Sequence, residues 1–196
     1  MKQEMIAFKQ TNIANEIVKS YPTTKLELKN RHLWLSPSRL CKLVFLTEMF
    51  YMYKTRKPLT EEDYIYYDEM IGTTLGVVTC DMLESNFDMF GHPRVNPYAE
   101  KCEIPQDVKR IVKNVIALTE YIGTQDITNL LTLKSIPDNT TITKEKITTF
   151  YDAKQLENKL KNLNHNGWQK KLESGAQTLE KYDNILNISD NACEKE

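Results

Sequence analysis

The chain has 196 residues, of which 40% are hydrophobic and 27% charged, with 26 basic side chains set against 27 acidic ones. That length suffices for one domain with a sizeable core plus an appendage. The near-neutral balance excludes a nucleic-acid footprint spread over the whole chain, while leaving room for a local patch.

The amino-terminal MKQEMIAFKQ carries an acid and a second lysine where a secretory signal has an unbroken apolar run. A cytoplasmic chain is therefore expected. Four cysteines without C-x-x-C spacing (Cys41, Cys80, Cys102, Cys193) read as reduced thiols. A first helix fits residues 5–21, where Ala14, Ile17, Val18 and Tyr21 recur at helical spacing before Pro22 stops it. A polar link leads to LSPSRLCKLVFLTEMFYMY. Ser36 is a natural cap and Pro37 suits the first turn, so a helix is expected over 36–53. Its apolar residues cover most of the circumference, which means burial in a core or a membrane span. Arg39, Lys42 and Glu48 interrupt the run, and a span needs roughly 20 apolar residues with few charges. The helix is therefore expected at the centre of a soluble domain, with Leu40, Leu43, Val44 and Phe45 buried.

TRKPL reads as a turn, and Thr60 to Asp63 as a helix cap with acids in its first turn. DYIYYDEM fits either a short helix or a short strand. Gly72 and Gly76 bracket a loop, and residues 77–90 fit a helix that ends at Gly91, followed by the loop HPRVNPY. Val108, Ile111, Val112, Val115, Ile116 and Thr119 line one face of an amphipathic helix between Pro105 and Gly123. Thr124 caps a short helix with Ile127, Leu130 and Leu131. After the polar PDNTT comes another helix with Ile147 and Phe150. The Lys/Glu/Asn-rich remainder has Leu156, Leu160 and Leu163, an interruption at Asn164-His165-Asn166-Gly167, and a further helix with Trp168, Leu172, Leu179, Tyr182 and Leu186. The expected architecture is mainly α. A compact helical domain over 1–151 surrounds the helix at 36–53, with room for a short β element near 63–80, and 152–196 forms a helical extension.

Enzyme signatures are missing from the sequence: there is no P-loop, dinucleotide fingerprint, H-E-x-x-H or G-x-S-x-G. His32, His92 and His165 all fall in expected links or loops, so no metal and no cofactor are expected. Asp81, Glu84 and Asp88 share one face of the expected 77–90 helix and read as a solvated or docking face. An acid/base site there would need a concave pocket and perturbed carboxylates. Tyr64, Tyr66 and Tyr67, with Tyr51 and Tyr53 before them, have two readings. Either they close the core around the central helix, or they serve as interface anchors, with Tyr66 and Tyr67 the better placed at the surface.

The order of these motifs resembles the Panacea domain, the SocA-like antitoxin family also found in phage-associated proteins. The family's opening Ala-Asn-x-Ile-Ile helix corresponds to Ala14-Asn15-Glu16-Ile17-Val18. Its Ser/Thr-Pro helix S-P-x-x-L-x-K-L-x-Y/F corresponds to Ser36-Pro37-Ser38-Arg39-Leu40-Cys41-Lys42-Leu43-Val44-Phe45. Arg56-Lys57-Pro58-Leu59 stands at the family's Gly-x-Pro-Leu turn, and Gly76-Val77-Val78 at its Gly-Pro-Val. Thr124 to Leu133 and Ile142 to Tyr151 resemble its two later helices, with Leu133-Lys134 where Thr-His would be expected. The likeness spans about residues 12–151 and describes a divergent member. It implies a non-enzymatic interaction module that binds and neutralises a partner protein: a toxin, or a host replication or defence factor if a phage or mobile element carries the gene. The partner is expected to dock on the variable middle of the chain, with Tyr64, Tyr66 and Tyr67 as anchors and Asp81, Glu84 and Asp88 as a polar rim. The alternative is a nucleic-acid-binding regulator using the basic extension. It requires Lys159, Lys161, Lys170 and Lys171 to form one contiguous positive surface.

Overall fold

The computed structural model describes residues 7–22, 34–67, 76–79, 86–89, 91–99, 101–133, 136–137 and 139–193, of which 67, 76–79 and 175–193 are described by their backbone alone. Among the described residues the chain is mainly α-helical. The helices are α1 (Gln10–Ser20), α2 (Pro37–Thr55), α3 (Gln106–Leu118), α4 (Thr124–Leu131), α5 (Lys144–Phe150) and α6 (Ala153–Cys193). A small antiparallel sheet of β1 (Tyr64–Tyr67), β2 (Gly76–Thr79) and β3 (Thr140–Ile142) has the order β2-β1-β3. No helix among the described residues is long and apolar enough to cross a membrane.

Helix α2 is the axis of the fold. The Ser36 hydroxyl accepts the Arg39 N–H at 3.2 Å, and Pro37 opens the helix, as a capped start with proline in the first turn should. Helices α1, α3, α4, α5 and α6 and strand β2 all contact it. Leu40, Leu43, Val44, Phe45 and Leu46 are completely buried, which explains why its apolar residues ignore amphipathic spacing. Phe45 makes edge-on contacts with Tyr64 (4.9 Å between ring centroids) and Tyr151 (5.2 Å). Such pairs add to the area they bury.

Several local expectations are corrected by the fold. The stretch 76–79 is a strand, not the start of a helix, because Val77 and Val78 pair with Tyr66 and Ile65 across β1. β-branched residues fit that pleated surface. Asn86 and Phe87 sit in a loop closed by a Phe87–Pro93 bridge, and Gly91 turns it at φ +81, a value that costs glycine little. Thr60 to Asp63 starts no helix. Phe8 bridges Thr60 in parallel, and the Glu62 carboxylate accepts the Gln10 N–H at the start of α1 (2.9 Å), so α1 begins at Gln10. Within the expected polar loop, Thr140 to Ile142 pairs with β1. Helix α6 runs unbroken through Asn164-His165-Asn166-Gly167, and His165 therefore lies on a helix.

The left-handed end of α2 has its own significance. Arg56 caps the helix at φ 58, its N–H donating to the Met52 carbonyl. That backbone conformation favours glycine. The guanidinium lies 5.4 Å from the centre of the Tyr53 ring, a cation–π contact that offsets part of the strain.

Candidate protein-docking groove

The expected anchors are found first in the core. Alternation along β1 turns Tyr64 and Tyr66 towards α2, and both are 0% exposed. The Tyr66 hydroxyl accepts the Leu133 N–H at 3.0 Å, and the Tyr64 hydroxyl reaches the Glu48 carboxylate at 3.4 Å. Burial, with Glu48 beside it, raises the Tyr64 hydroxyl well above its usual range. Neither ring can anchor a partner without opening the fold, which corrects their assignment as surface anchors. Tyr67 closes β1 with its backbone paired to Gly76. Asp81 and Glu84 lie outside the described residues. Asp88 is half-buried, and its carboxylate lies 3.1 Å from His92 Nδ1 in the loop.

Two charged clusters in the core are structural by their geometry. The Glu48 carboxylate, fully buried, accepts the N–H groups of Leu59 (2.8 Å) and Thr60 (2.9 Å) and the Thr60 hydroxyl (2.6 Å), and pairs with the Lys144 ammonium at 3.1 Å. It thereby joins α2, the turn after it and the start of α5. The Arg39 guanidinium donates to the carbonyls of Ile122 (2.8 Å) and Thr119 (2.7 Å) and to the Tyr21 hydroxyl (2.9 Å). It thereby ties α1 and α2 to the turn that follows α3. A third polar knot holds the 86–98 loop: Asn15 Oδ1 accepts Asn86 Nδ2 at 2.8 Å and the Asn96 N–H at 2.7 Å.

The surface feature lies on the other side of α2. The carboxyl-terminal half of α2, one face of α3 and the first half of α6 enclose an open groove of about 770 Å³. Its apolar lining comes from Phe50, Tyr53, Ile111, Leu118, Tyr121 and Trp168, and three bases (Lys54, Arg110, Lys161) stand against one acid, Glu157. Trp168 is 43% exposed, Tyr53 45%, and Leu172, one turn further along α6, 52%. The His165 ring lies 5.9 Å from that of Trp168, and the Lys171 ammonium 5.3 Å from the Tyr121 ring centre.

The residues that read as a helix break build this groove. The Asn164 side chain accepts the Tyr121 N–H at 2.7 Å and donates to the Ala117 carbonyl at 3.0 Å, so it caps the end of α3 from a neighbouring helix. Gly167 lets the two backbones meet: a Cβ there would collide with the Tyr121 carbonyl oxygen and lie 2.9 Å from Tyr121 Cβ. In sequence, Trp168 belongs to the carboxyl-terminal extension and Tyr53 to the tyrosine group before β1. What brings them together is the crossing of α6 over α3, and the only local sign of it is a small residue beside an amide.

The four lysines of the nucleic-acid alternative do not share a face. At 3.6 residues per turn, Lys159 and Lys170 fall about 20° apart on α6, whereas Lys161 falls roughly 160–180° away from both. Lys161 faces the groove and pairs with Glu157 at 2.6 Å. No protein-family model matches the chain, and no curated protein or solved structure matches it.

Proposed function

We propose that this chain is a non-enzymatic protein-interaction module that binds and neutralises a partner protein in the manner of a Panacea-type antitoxin, with the α2/α3/α6 groove as its docking surface. The observation that carries the reading is the groove itself. It presents large aromatic side chains, Tyr53 and Trp168, at about half exposure within an apolar, base-rimmed surface fixed on three helices. Aromatic anchors on a rigid scaffold, ringed by polar groups, are what protein interfaces concentrate their binding energy in. The position of Arg56 lends the family reading support. It stands where the Panacea turn carries glycine, and its φ of 58 is one that glycine takes freely.

In this reading the partner is a toxin, or a host replication or defence factor, masked by one-to-one binding. The product of the neighbouring gene is the first partner to try. Co-expression followed by titration calorimetry should give a one-to-one complex. Tyr53→Ala or Trp168→Ala should weaken it by roughly 2 kcal/mol or more while the melting temperature holds. Full-strength binding by both variants would remove the groove from the mechanism. The scattering of Lys159, Lys161 and Lys170 around α6 weighs against the nucleic-acid reading, because phosphate binding gains from bases that act together.

A further inference from the structure

We infer that the groove is filled by the distal half of α6 from a second copy of the chain, and that two copies form a symmetric antiparallel pair in which each helix closes the other's groove. This rests on the reading of the groove as a protein-docking surface and names an occupant for it.

Three observations lead there. The first is length. Helix α6 is continuous for 41 residues, about 60 Å at 1.5 Å per residue, against about 30 Å for the diameter of a small domain. Its groove-lining residues end at Trp168, and residues 169–174 are exposed. The second is the stripe. Glu157, Lys161, Asn164 and Trp168 line the groove. The same three-and-four spacing continues through Leu172, Leu179, Tyr182 and Leu186, the spacing of a helix that packs along another helix. The stripe that walls one groove thus continues as an apolar seam of the kind that a groove accepts.

The third observation is charge, and it chooses the occupant. From Ala153 to Lys171 the helix carries five lysines against one glutamate; Lys154 and Lys161 fall about 20° apart on the groove side, whereas Lys159 and Lys170 point away from it. From Leu172 to Cys193 it carries Glu173, Glu180, Asp183 and Asp190 against Lys181. The groove adds Lys54 and Arg110 to the basic half. A parallel pair would set like charges side by side. An antiparallel pair, turned about a two-fold axis near Leu172, sets each acidic half on the partner's basic groove, and one surface patch serves both copies as an isologous contact requires. A foreign partner would then compete with the second copy for the groove.

The full chain tests this. Sedimentation equilibrium should show a dimer at micromolar concentration. Reversing the acidic half (Glu180→Lys with Asp183→Lys) or the groove (Lys54→Glu with Arg110→Glu) should each raise the dissociation constant about tenfold or more, and combining all four should recover most of the loss. Lys54 and Arg110 are exposed, so thermal melts should confirm that the groove variant stays folded. A short lysine-reactive cross-linker supplies a second readout. Lys161 and Lys181 lie about 30 Å apart along one helix, out of reach, but come level with each other between copies in the antiparallel pair. A Lys161–Lys181 link carrying mixed labels from 14N and 15N chains is therefore expected. A monomer, a dimer indifferent to the reversals, or a dimer without that link overturns the inference and leaves the docking groove standing. If Tyr53→Ala and Trp168→Ala leave both the dimer and the binding of a foreign partner unchanged, the groove itself is the error.

Discussion

Glu48 draws three separate segments to one carboxylate, and that convergence makes its removal expensive. Thr60, Leu59, Tyr64 and Lys144 all approach it. Glu48→Ala leaves two buried backbone N–H groups without their acceptor and the Lys144 ammonium without its counter-charge, and is expected to cost about 3–5 kcal/mol by urea denaturation. Lys144→Ala should cost clearly less, because its side chain is 14% exposed and the carboxylate keeps its N–H donors. Equal losses would show that the ion pair, and not the N–H bonds, dominates. Lys42 gives a pH-dependent counterpart. Burial lowers its ammonium to about 8 from 10.5. Between those values the unfolded chain binds the extra proton, so stability rises with pH across that window. Below about 8 both states are protonated, and the cost of burying the charge is present in full. Denaturation free energy should therefore climb between about pH 8 and 10, by at most about 1.4 kcal/mol per pH unit, and Lys42→Met should remove the climb. A climb of the same size in Lys42→Met would assign it to another group.

At the level of elements, two positions carry opposite messages about backbone. Gly167 sits inside α6, where alanine ordinarily stabilises by up to about 1 kcal/mol. Here the added methyl would strike the Tyr121 carbonyl oxygen, and backbone cannot yield as a flexible side chain does. Gly167→Ala should therefore lower the melting temperature and loosen α6 from α3, seen as faster amide exchange at Tyr121, whose N–H bonds Asn164. A stabilised Gly167→Ala would mean that α6 crosses elsewhere. Arg56 is the reverse case. A side chain at φ 58 costs about 1 kcal/mol relative to glycine, so Arg56→Gly should raise stability by that order, less the lost contact with the Tyr53 ring. An unchanged or lower melting temperature would show that the ring contact outweighs the strain.

For the whole molecule, the relevant distinction is between aromatic rings that hold the fold and those that face outward. Tyr66 is buried in β1 with its hydroxyl on the Leu133 backbone, and Tyr53 lines the groove at 45% exposure. Tyr66→Ala should destabilise by about 3–5 kcal/mol, as large-to-small changes in cores do, and lose binding only as it unfolds. Tyr53→Ala should keep the melting temperature and lose binding. Paired melting and calorimetric curves separate the two, and the reverse pattern would return the docking surface to the β1 region.

Residue periodicity and local capping at Ser36-Pro37 are enough to set the mainly α class, the placement of α2 at the centre and the amphipathic faces of α3 and α4. They also mark the buried aliphatic set of α2, since a helix apolar on every side has to be enclosed. The rest depends on long-range packing. Whether YIYY became strand or helix depended on β2 and β3, which pair with it from 12 and 76 residues further on. Whether Tyr66 or Tyr53 met solvent depended on strand alternation against α2 and on the path of α6. Asn-His-Asn-Gly reads as a break in sequence because its amides and glycine disfavour an isolated helix. It is continuous because Asn164 finds the end of α3 and Gly167 allows the approach. The groove arises from that crossing, between residues as distant as Phe50 and Trp168, and no local pattern encodes which surfaces remain uncovered once helices have packed.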